Sequence, residues 1–387
     1  MTKDRGLLRT KKGHESDKVS FIELFFDLVF VFAITQLSHS LITHFSPVGG
    51  LQTLMLLLSV WWVWIFTAWV TNWLDPEKHP VRIALLIMMV LGLVLSASVP
   101  EAFGKRGLAF AGAYVTLQVG RSLFFLWAVR GHPTLTRNFH RILAWFATAG
   151  VFWIAGGCAD SSARMAWWAL ALVIEYISPS MGFATPGLGK ANSKEWDVSG
   201  HHLAERCGLF IIIALGESIL VTGATFSGLE WTGPVIAAFA ASVIGSIAMW
   251  WLYFDTASEF GTKVISSSEN PGHLGRLAYT YLHIFLVAGI ILTAVANEFV
   301  LAHPSGHSSG KITIAVLGSS ALYLMGSLLF KRAISGKTPL SHFTATAILA
   351  LLIPAAPHLA PWLLTSLATI VLCGVAAWER HANCMRE

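Results

Sequence analysis

Apolar residues occur along this chain in long stretches that are apolar on nearly every side, separated by short polar connections. A helix that crosses a bilayer needs about 20 mostly apolar residues. A membrane barrel would instead alternate apolar and polar positions in segments of about ten residues. Twelve stretches predict spanning helices, and we therefore expect an all-α, polytopic integral membrane protein: 20–43, 51–73, 82–103, 108–130, 140–158, 163–183, 203–226, 233–255, 276–301, 311–331, 340–357 and 361–379.

The composition supports the same class. Hydrophobic residues make up 55% of the 387 residues and charged residues only 12%, against about 25% charged in typical soluble domains. A soluble chain of this length has no interior large enough for so much apolar surface, so soluble and disordered classes are excluded. The four cysteines have no spacing typical of a disulfide framework: Cys158, Cys207, Cys373 and Cys384.

The first apolar stretch follows a basic leader, as a signal peptide would. However, Asp27 interrupts the apolar run, and no small-residue cleavage site follows. We therefore interpret this stretch as a retained helix.

The basic residues predict the orientation of the bundle. With the N-terminus inside, 21 of the 26 Lys and Arg residues fall on inner segments, four fall on outer loops, and Arg121 lies within a span. This distribution favours an even number of helices with both termini cytoplasmic. Because the basic residues are spread over seven short segments and form no stripe, we predict no nucleic-acid partner.

The two halves of the chain share short patterns. The third and ninth predicted spans have the same spacing of Gly, Ala and Glu: Gly92, Ala97 and Glu101 in one, Gly289, Ala294 and Glu298 in the other. Six helices per half predict a parallel repeat, although chance similarity between apolar helices is the alternative. The predicted organisation is a leader (1–19), a first half (20–183), a linker (184–202), a second half (203–379) and a tail (380–387).

Ionisable groups at membrane depth cost about 2.5–3.5 kcal/mol each on insertion scales and are candidates for function. One set of such groups, together with the neutral amide of Asn72, is predicted near the inner helix ends: Glu23, Asp27, Asn72, Asp75, Arg121, Glu175, His202, Glu205, Arg206 and Asp255. Carboxylates one helical turn apart can share a proton, bind a hard cation or pair with an arginine. Arg121 is the expected partner of Asp27 or Glu175. The alternative for the whole set is a salt-bridged brace at the helix ends.

Other candidates lie elsewhere in the spans. Glu217 follows a glycine in an apolar helix, which suggests close helix packing around a buried acid. In the second span, Trp62, Trp69 and Trp73 are spaced seven and four residues apart. They are candidates to line a cavity for a flat or cationic ligand, and packing or lipid contact is the alternative.

Two segments carry a family resemblance. Residues 21–38 (FIELFFDLVFVFAITQLS) and 202–218 (HLAERCGLFIIIALGES) resemble signature segments of the bacterial low temperature requirement A family. Cys207 departs from the aromatic residue expected there, at a packing position. The resemblance implies a multispanning bacterial membrane protein and names a phenotype rather than a reaction. It carries over these charged positions: Glu23, Asp27, Asp75, His202, Glu205, Arg206 and Glu217.

The leading hypothesis is a proton- or cation-coupled transporter or channel of the bacterial inner membrane, acting through Asp27, Glu175, Glu205 and Glu217. An integral membrane enzyme acting on a lipid or isoprenoid, including a diphosphate, is the alternative. Its metal would be held by inner-face carboxylates such as Glu23, Asp27 and Asp75. A structural or regulatory bundle is the third hypothesis. The expected partners are the bilayer and a small solute, ion or lipid, while the sequence specifies neither a cofactor nor an oligomeric state.

Overall fold

The structure is a computed structural model that describes residues 6–9, 18–192, 196 and 198–384. Most of the predicted leader 1–19, part of the linker 184–202 and the end of the tail 380–387 lie outside these residues. The described chain is helical, and no β-strand occurs within it. Its α-helices are α1 (Phe21–Thr43), α2 (Pro47–Trp73), α3 (His79–Ser98), α4 (Gly107–Ala128), α5 (Pro133–Cys158), α6 (Ser161–Ile177), α7 (Gly200–Ser227), α8 (Gly233–Tyr253), α9 (Glu259–Ser266), α10 (Pro271–Leu274), α11 (His283–Ala302), α12 (Gly310–Ser335), α13 (Leu340–Leu352) and α14 (Pro361–Cys384).

Each of the twelve predicted stretches contains a helix, and the helical membrane class is confirmed. In the described residues, ten helices are long and apolar enough to cross a membrane: Phe21–Thr43, Pro47–Trp73, His79–Glu101, Gly107–Ala128, Pro133–Cys158, Gly200–Ser227, Gly233–Tyr253, Pro271–Ala302, Gly310–Ser335 and Pro361–Ala382. The stretches predicted at 163–183 and 340–357 hold the shorter helices α6, of 17 residues, and α13, of 13 residues. Pro179 and Pro354 follow these two helices closely, and proline disfavours helical backbone in the residue before it.

The described chain divides into two compact units. The first unit combines the chain up to Ser40 with Ser46–Arg206 and Ser268–Arg276. It therefore contains most of α1, all of α2 to α6, α10 and the first two turns of α7. The second unit combines Leu41–Phe45 with Cys207–Ser267 and the chain from Leu277 onward. It holds the rest of α7 and all of α8, α9 and α11 to α14.

The helix ends follow local sequence rules. Ser46 precedes α2, and its hydroxyl accepts a hydrogen bond from the backbone N–H of Gly49 at 3.1 Å. Asp160 and Ser309 cap α6 and α12 in the same way. Such side chains satisfy N–H groups that have no partner within the helix. At the other end of α12, Gly336 adopts a left-handed conformation with φ of 68°, which glycine tolerates best.

The interior of the first unit is built around α2. Trp61, Trp62 and Trp64 are at most 1% exposed, and α2 packs against α4 and α6. By contrast, α3 exposes a row of large apolar side chains that includes Ile83, Ile87 and Val90. In a membrane protein such a surface contacts lipid, so α2 is an internal helix and α3 has a lipid-facing side.

The second unit contains a close helix crossing between α11 and α12. A Cβ atom added at Gly289 would lie 2.8 Å from the backbone N of Tyr323, and one added at Gly326 would lie 2.8 Å from the backbone N of Leu286. Small residues at such positions allow two helix backbones to approach each other. The two glycines are therefore required by packing.

We expect Gly289→Ala to destabilise the protein by about 1–3 kcal/mol, because the added methyl meets backbone atoms that cannot rotate away. The measurement is the thermal unfolding midpoint of the purified protein in detergent. Gly318→Ala is the matched control on α12, since its Cβ would lie 3.6 Å from Leu292 Cδ2, an ordinary contact. Equal midpoints for the two variants would contradict the close crossing.

Candidate functional site

A cluster of charged side chains is buried in the first unit. Glu23 and Asp27 come from α1, and His202 and Arg206 come from the first turns of α7. All four are 0% exposed. Because residues four apart lie on one face of a helix, each helix presents its pair on a single side, as the sequence predicts. We call these four residues the ion-pair network.

Glu23 has both carboxylate oxygens engaged. Oε1 lies 3.0 Å from His202 Nε2 and 3.4 Å from Arg206 Nη1. Oε2 accepts hydrogen bonds from the backbone N–H of Ser20 at 2.9 Å and from Arg9 Nη2 at 3.0 Å. Glu23 is therefore held as an acceptor on every side, at the start of α1.

Asp27 is engaged on one side only. Its Oδ1 accepts hydrogen bonds from Arg206 Nη2 at 2.7 Å and from the indole N–H of Trp64 at 2.9 Å. The Arg206 guanidinium also lies 5.7 Å from the centre of the Trp64 ring, within range of a cation–π contact. The other oxygen, Oδ2, is buried and accepts no hydrogen bond from any residue that the structure describes.

Asn72 at the end of α2 orients His202. Its amide exchanges hydrogen bonds with the backbone of Ser199, each at 2.8 Å. Its Nδ2 also lies 3.3 Å from His202 Nδ1. An amide N–H can only donate, so Nδ1 accepts, while Nε2 lies 3.0 Å from both Glu23 Oε1 and Arg9 Nη2. The carboxylates of Glu23 and Asp27 are balanced by the guanidinium groups of two arginines.

The second of these arginines is Arg9, from the basic leader. The backbone N–H of Arg9 donates to Trp73 O at 2.8 Å, and Asp75 N–H donates to Leu7 O at 2.8 Å. Residues 6–9 therefore lie along the end of α2, and Arg9 Nε donates to Thr71 O at 2.8 Å. In the sequence, Arg9 counts only as one of the basic residues that predict the orientation of the bundle. In the structure, its charge balances that of the buried Glu23.

Arg121 and Glu175 belong to a separate chain of contacts in the first unit. Arg121 donates to Gln118, the Gln118 amide donates to Tyr114 Oη at 3.1 Å, and Tyr114 donates to Glu175. Arg121 also donates to Val63 O at 3.1 Å. The expected pairing of Arg121 with Glu175 is therefore indirect, while Asp27 pairs with Arg206.

The remaining predicted acids lie outside the ion-pair network. Asp75 lies 3.9 Å from Lys78 Nζ, and Glu205 accepts a hydrogen bond from the backbone N–H of Val19 at 3.2 Å. In the second unit, Glu217 is buried at 2% exposed, and the exposed Asp255 accepts from Trp251 Nε1 at 2.9 Å. Within the described residues, no group of three or more His, Cys, Asp or Glu side chains is arranged to hold a metal ion.

The three candidate tryptophans pack against other rings. Trp62 stacks on Tyr176 with ring centres 4.0 Å apart. Trp69 lies 5.5 Å from Trp196, edge to face, and Trp73 lies 5.7 Å from Phe139. Such geometries are typical of an aromatic core.

A second charged cluster, which the sequence reasoning missed, lies in the second unit. Lys331 near the end of α12 pairs with Glu379 on α14. The carboxylate of Glu379 also lies 3.2 Å from His342 Nδ1 and accepts from Ser341 Oγ at 3.2 Å. Lys331 and Glu379 stand at the ends of predicted spans and therefore look like boundary charges. Both charges are predicted at the same end of their spans. This shared position was the signal from which the sequence could have indicated the pair.

Together, the helices and the buried charges define a multi-pass helical membrane protein, which contacts the lipid bilayer. The chain belongs to the bacterial low temperature requirement A protein family, whose model matches residues 18–377. It is 40% identical over 372 residues to an uncharacterized protein of Rhizobium meliloti (strain 1021), covering 95% of this chain and 90% of that protein. No solved structure matched the chain. The resemblance to this family is thus confirmed over nearly the whole sequence.

Proposed function

We propose that this protein is a proton- or cation-coupled transporter or channel of the bacterial inner membrane, with both termini cytoplasmic. The observation that carries the proposal is Asp27. It is a buried carboxylate on a spanning helix, and one of its oxygens accepts no hydrogen bond from the described residues. Buried acids inside a membrane bundle commonly mark ion pathways and proton relays.

The surroundings of Asp27 suit a reversible change of charge. Arg206 and Trp64 hold Oδ1, so Oδ2 is the oxygen that takes up a proton or a cation. Arg206 Nη1 also lies 3.4 Å from Glu23 Oε1, so Arg206 has a second anionic partner when Asp27 is neutralised. Arg206 therefore links the state of Asp27 to Glu23 and through it to His202.

The order of helix contacts supports a parallel repeat of six helices. In the first unit α3 packs on α4, α4 on α5, α5 on α6, and α2 on both α4 and α6. In the second unit α11 packs on α12, α12 on α13, α13 on α14, and α8 on both α12 and α14. These five pairs correspond if α2 matches α8 and α3 matches α11, whereas the contacts of α11 with α8 and α14 and of α12 with α14 have no counterpart of similar extent in the first unit. Parallel repeats of this kind occur in transporters.

The proposal is tested by flux in liposomes. Purified protein is reconstituted with a trapped pH dye and exposed to a broad panel of solutes, with and without an imposed proton gradient or membrane potential. We expect at least one solute to move in a way that depends on the gradient. We also expect Asp27→Asn, which keeps size but removes the charge, to abolish that dependence.

Glu259→Gln is the matched control, because Glu259 is an exposed carboxylate paired with Lys263 at 2.7 Å. The hydrogen bond and charge of Lys263 lower the pKa of Glu259 below its ordinary value, so the control also removes a genuine negative charge. We expect its flux to match the wild type. A wild-type protein that moves no solute under any gradient would overturn the proposal, and unchanged flux in Asp27→Asn would remove Asp27 from it.

A further inference from the structure

The second unit contains a small cavity, and seven of its fourteen lining residues have polar side chains. Helices α8, α11, α12 and α14 form its walls, and it offers about 20 Å³ to water-sized groups. Hydroxyl or amide groups occur one helical turn apart on two of these helices, as Thr293 and Asn297 on α11 and as Thr365 and Thr369 on α14. Because polar groups are costly within a membrane bundle, a shared polar cavity indicates a binding site.

Four hydroxyl groups in the wall donate hydrogen bonds to main-chain carbonyls. Thr293 donates to Gly289 O at 2.9 Å, and Thr369 donates to Ala241 O at 3.0 Å. Ser319 and Ser320 both donate to Val316 O, at 3.0 and 3.3 Å. A hydroxyl has one proton and two lone pairs. These four groups therefore have only lone pairs left to offer a ligand.

The orientation of the Asn297 amide follows from the hydrogen bonds of its neighbours. Thr222 donates to Ser218 O at 2.7 Å, and Ser246 donates to Ser242 O at 3.2 Å. Ser246 therefore accepts from the Ser218 hydroxyl, 3.0 Å away. Since neither Thr222 nor Ser218 has a proton left, both accept from Asn297 Nδ2, at 2.9 and 3.5 Å. The amide oxygen of Asn297 is then the atom that remains for the cavity.

Two further hydroxyls in the wall form no hydrogen bond with the described residues. Ser242 and Thr365 are 2% and 7% exposed. Neither Ser242 Oγ nor Thr365 Oγ1 forms a hydrogen bond with any part of the chain that the structure describes. Buried polar groups in native proteins are nearly always hydrogen-bonded, so these two oxygens point to a ligand.

We propose that this cavity binds a small monovalent cation such as Na⁺, stripped of its water. The wall offers several neutral oxygen acceptors, which replace the hydration shell of such an ion as carbonyl oxygens do in selectivity filters. No carboxylate occurs among the described residues that line the cavity, and Mg²⁺ and Ca²⁺ sites rely on carboxylates. An anion would need donors, of which the wall has few. The site is separate from the ion-pair network, and binding there does not depend on transport.

The test is the thermal unfolding midpoint of the purified full-length protein. It is measured in chloride salts of Na⁺, Li⁺, K⁺ and NH₄⁺, with choline chloride at equal ionic strength as the reference. A ligand that binds the folded state raises the midpoint as its concentration rises. We expect at least one of the four ions to raise it with saturation. Thr365→Val removes one oxygen at nearly constant volume and should weaken binding about tenfold, equivalent to about 1.4 kcal/mol.

Ser242→Ala should weaken binding similarly. Ser366→Ala is the matched control on α14, because Ser366 donates to Trp362 O at 2.8 Å and does not line the cavity. A second readout, broadening of the ²³Na resonance by protein, compares the same variants without unfolding them. Midpoints that are equal in all salts, or a cation effect that Thr365→Val and Ser242→Ala leave intact, would overturn the proposal.

Discussion

Arg206→Leu is expected to destabilise the protein by about 3–5 kcal/mol, the typical result of removing one partner from a buried ion pair. Arg206 is 0% exposed and contacts Asp27 at 2.7 Å and Glu23 at 3.4 Å. Among the described residues, its removal leaves the Trp64 indole as the one donor at Asp27 Oδ1. A buried carboxylate without a counter-charge then has to take up a proton or draw in water, and both outcomes are costly.

The measurement is the thermal unfolding midpoint and the yield of monodisperse protein in detergent. Arg82→Leu is the matched control, because Arg82 forms an exposed pair with Glu77 at 2.6 Å, and exposed pairs contribute about 0–1 kcal/mol. Adding Asp27→Asn to Arg206→Leu should recover part of the loss, since the uncompensated charge is removed. An Arg206→Leu protein as stable as Arg82→Leu would show that the network does not hold the helices together.

The sequence was sufficient for the helical membrane class because the apolar stretches exceed the length of a soluble core helix. It also placed Glu23 and Asp27 on one helix face, although the same set of candidates included Asp255, which is exposed. The number of full-length spans was harder to predict. At α6 and α13 the apolar stretch continues past Pro179 and Pro354, and hydropathy alone does not register where the backbone leaves the helix.

The partners of the buried charges were beyond the sequence. Arg206 and Asp27 are 179 positions apart, and helical periodicity relates only residues on the same helix. Arg121 was the expected partner of Asp27 or Glu175, yet its guanidinium donates to Gln118 and to Val63 O. Which cation meets which anion depends on how helices pack, a property that no local pattern encodes.

The polar cavity was hidden for a different reason. Serine and threonine in a membrane helix usually donate to a carbonyl of the preceding turn, as Ser38 does to Ile34 O at 3.0 Å, and such residues read as neutral in a hydropathy profile. Ser242 and Thr365 look the same in the sequence. Their lack of a partner among the described residues emerges only from the three-dimensional arrangement.

Lys331→Met is expected to cost about 3 kcal/mol, the lower end of the range for a broken buried pair. Lys331 and Glu379 are each 8% exposed, less completely buried than the ion-pair network. Without the ammonium group, Glu379 retains Ser341 Oγ and His342 Nδ1, both at 3.2 Å. A protonated His342 would restore a positive partner for Glu379. However, the imidazole would have to be charged while it is buried, which is costly. The measurement is again the thermal unfolding midpoint in detergent.

Replacing both partners distinguishes the loss of the ion pair from the cost of leaving one buried charge without its partner. The double variant Lys331→Met and Glu379→Leu fills the same space with apolar groups, and such replacements are often neutral or stabilising. We therefore expect it to be more stable than Lys331→Met alone. Lys263→Met is the matched control, since Lys263 pairs with Glu259 on the surface, with both side chains more than 70% exposed. A double variant less stable than Lys331→Met would instead mean that Glu379 stabilises the fold mainly through Ser341 and His342.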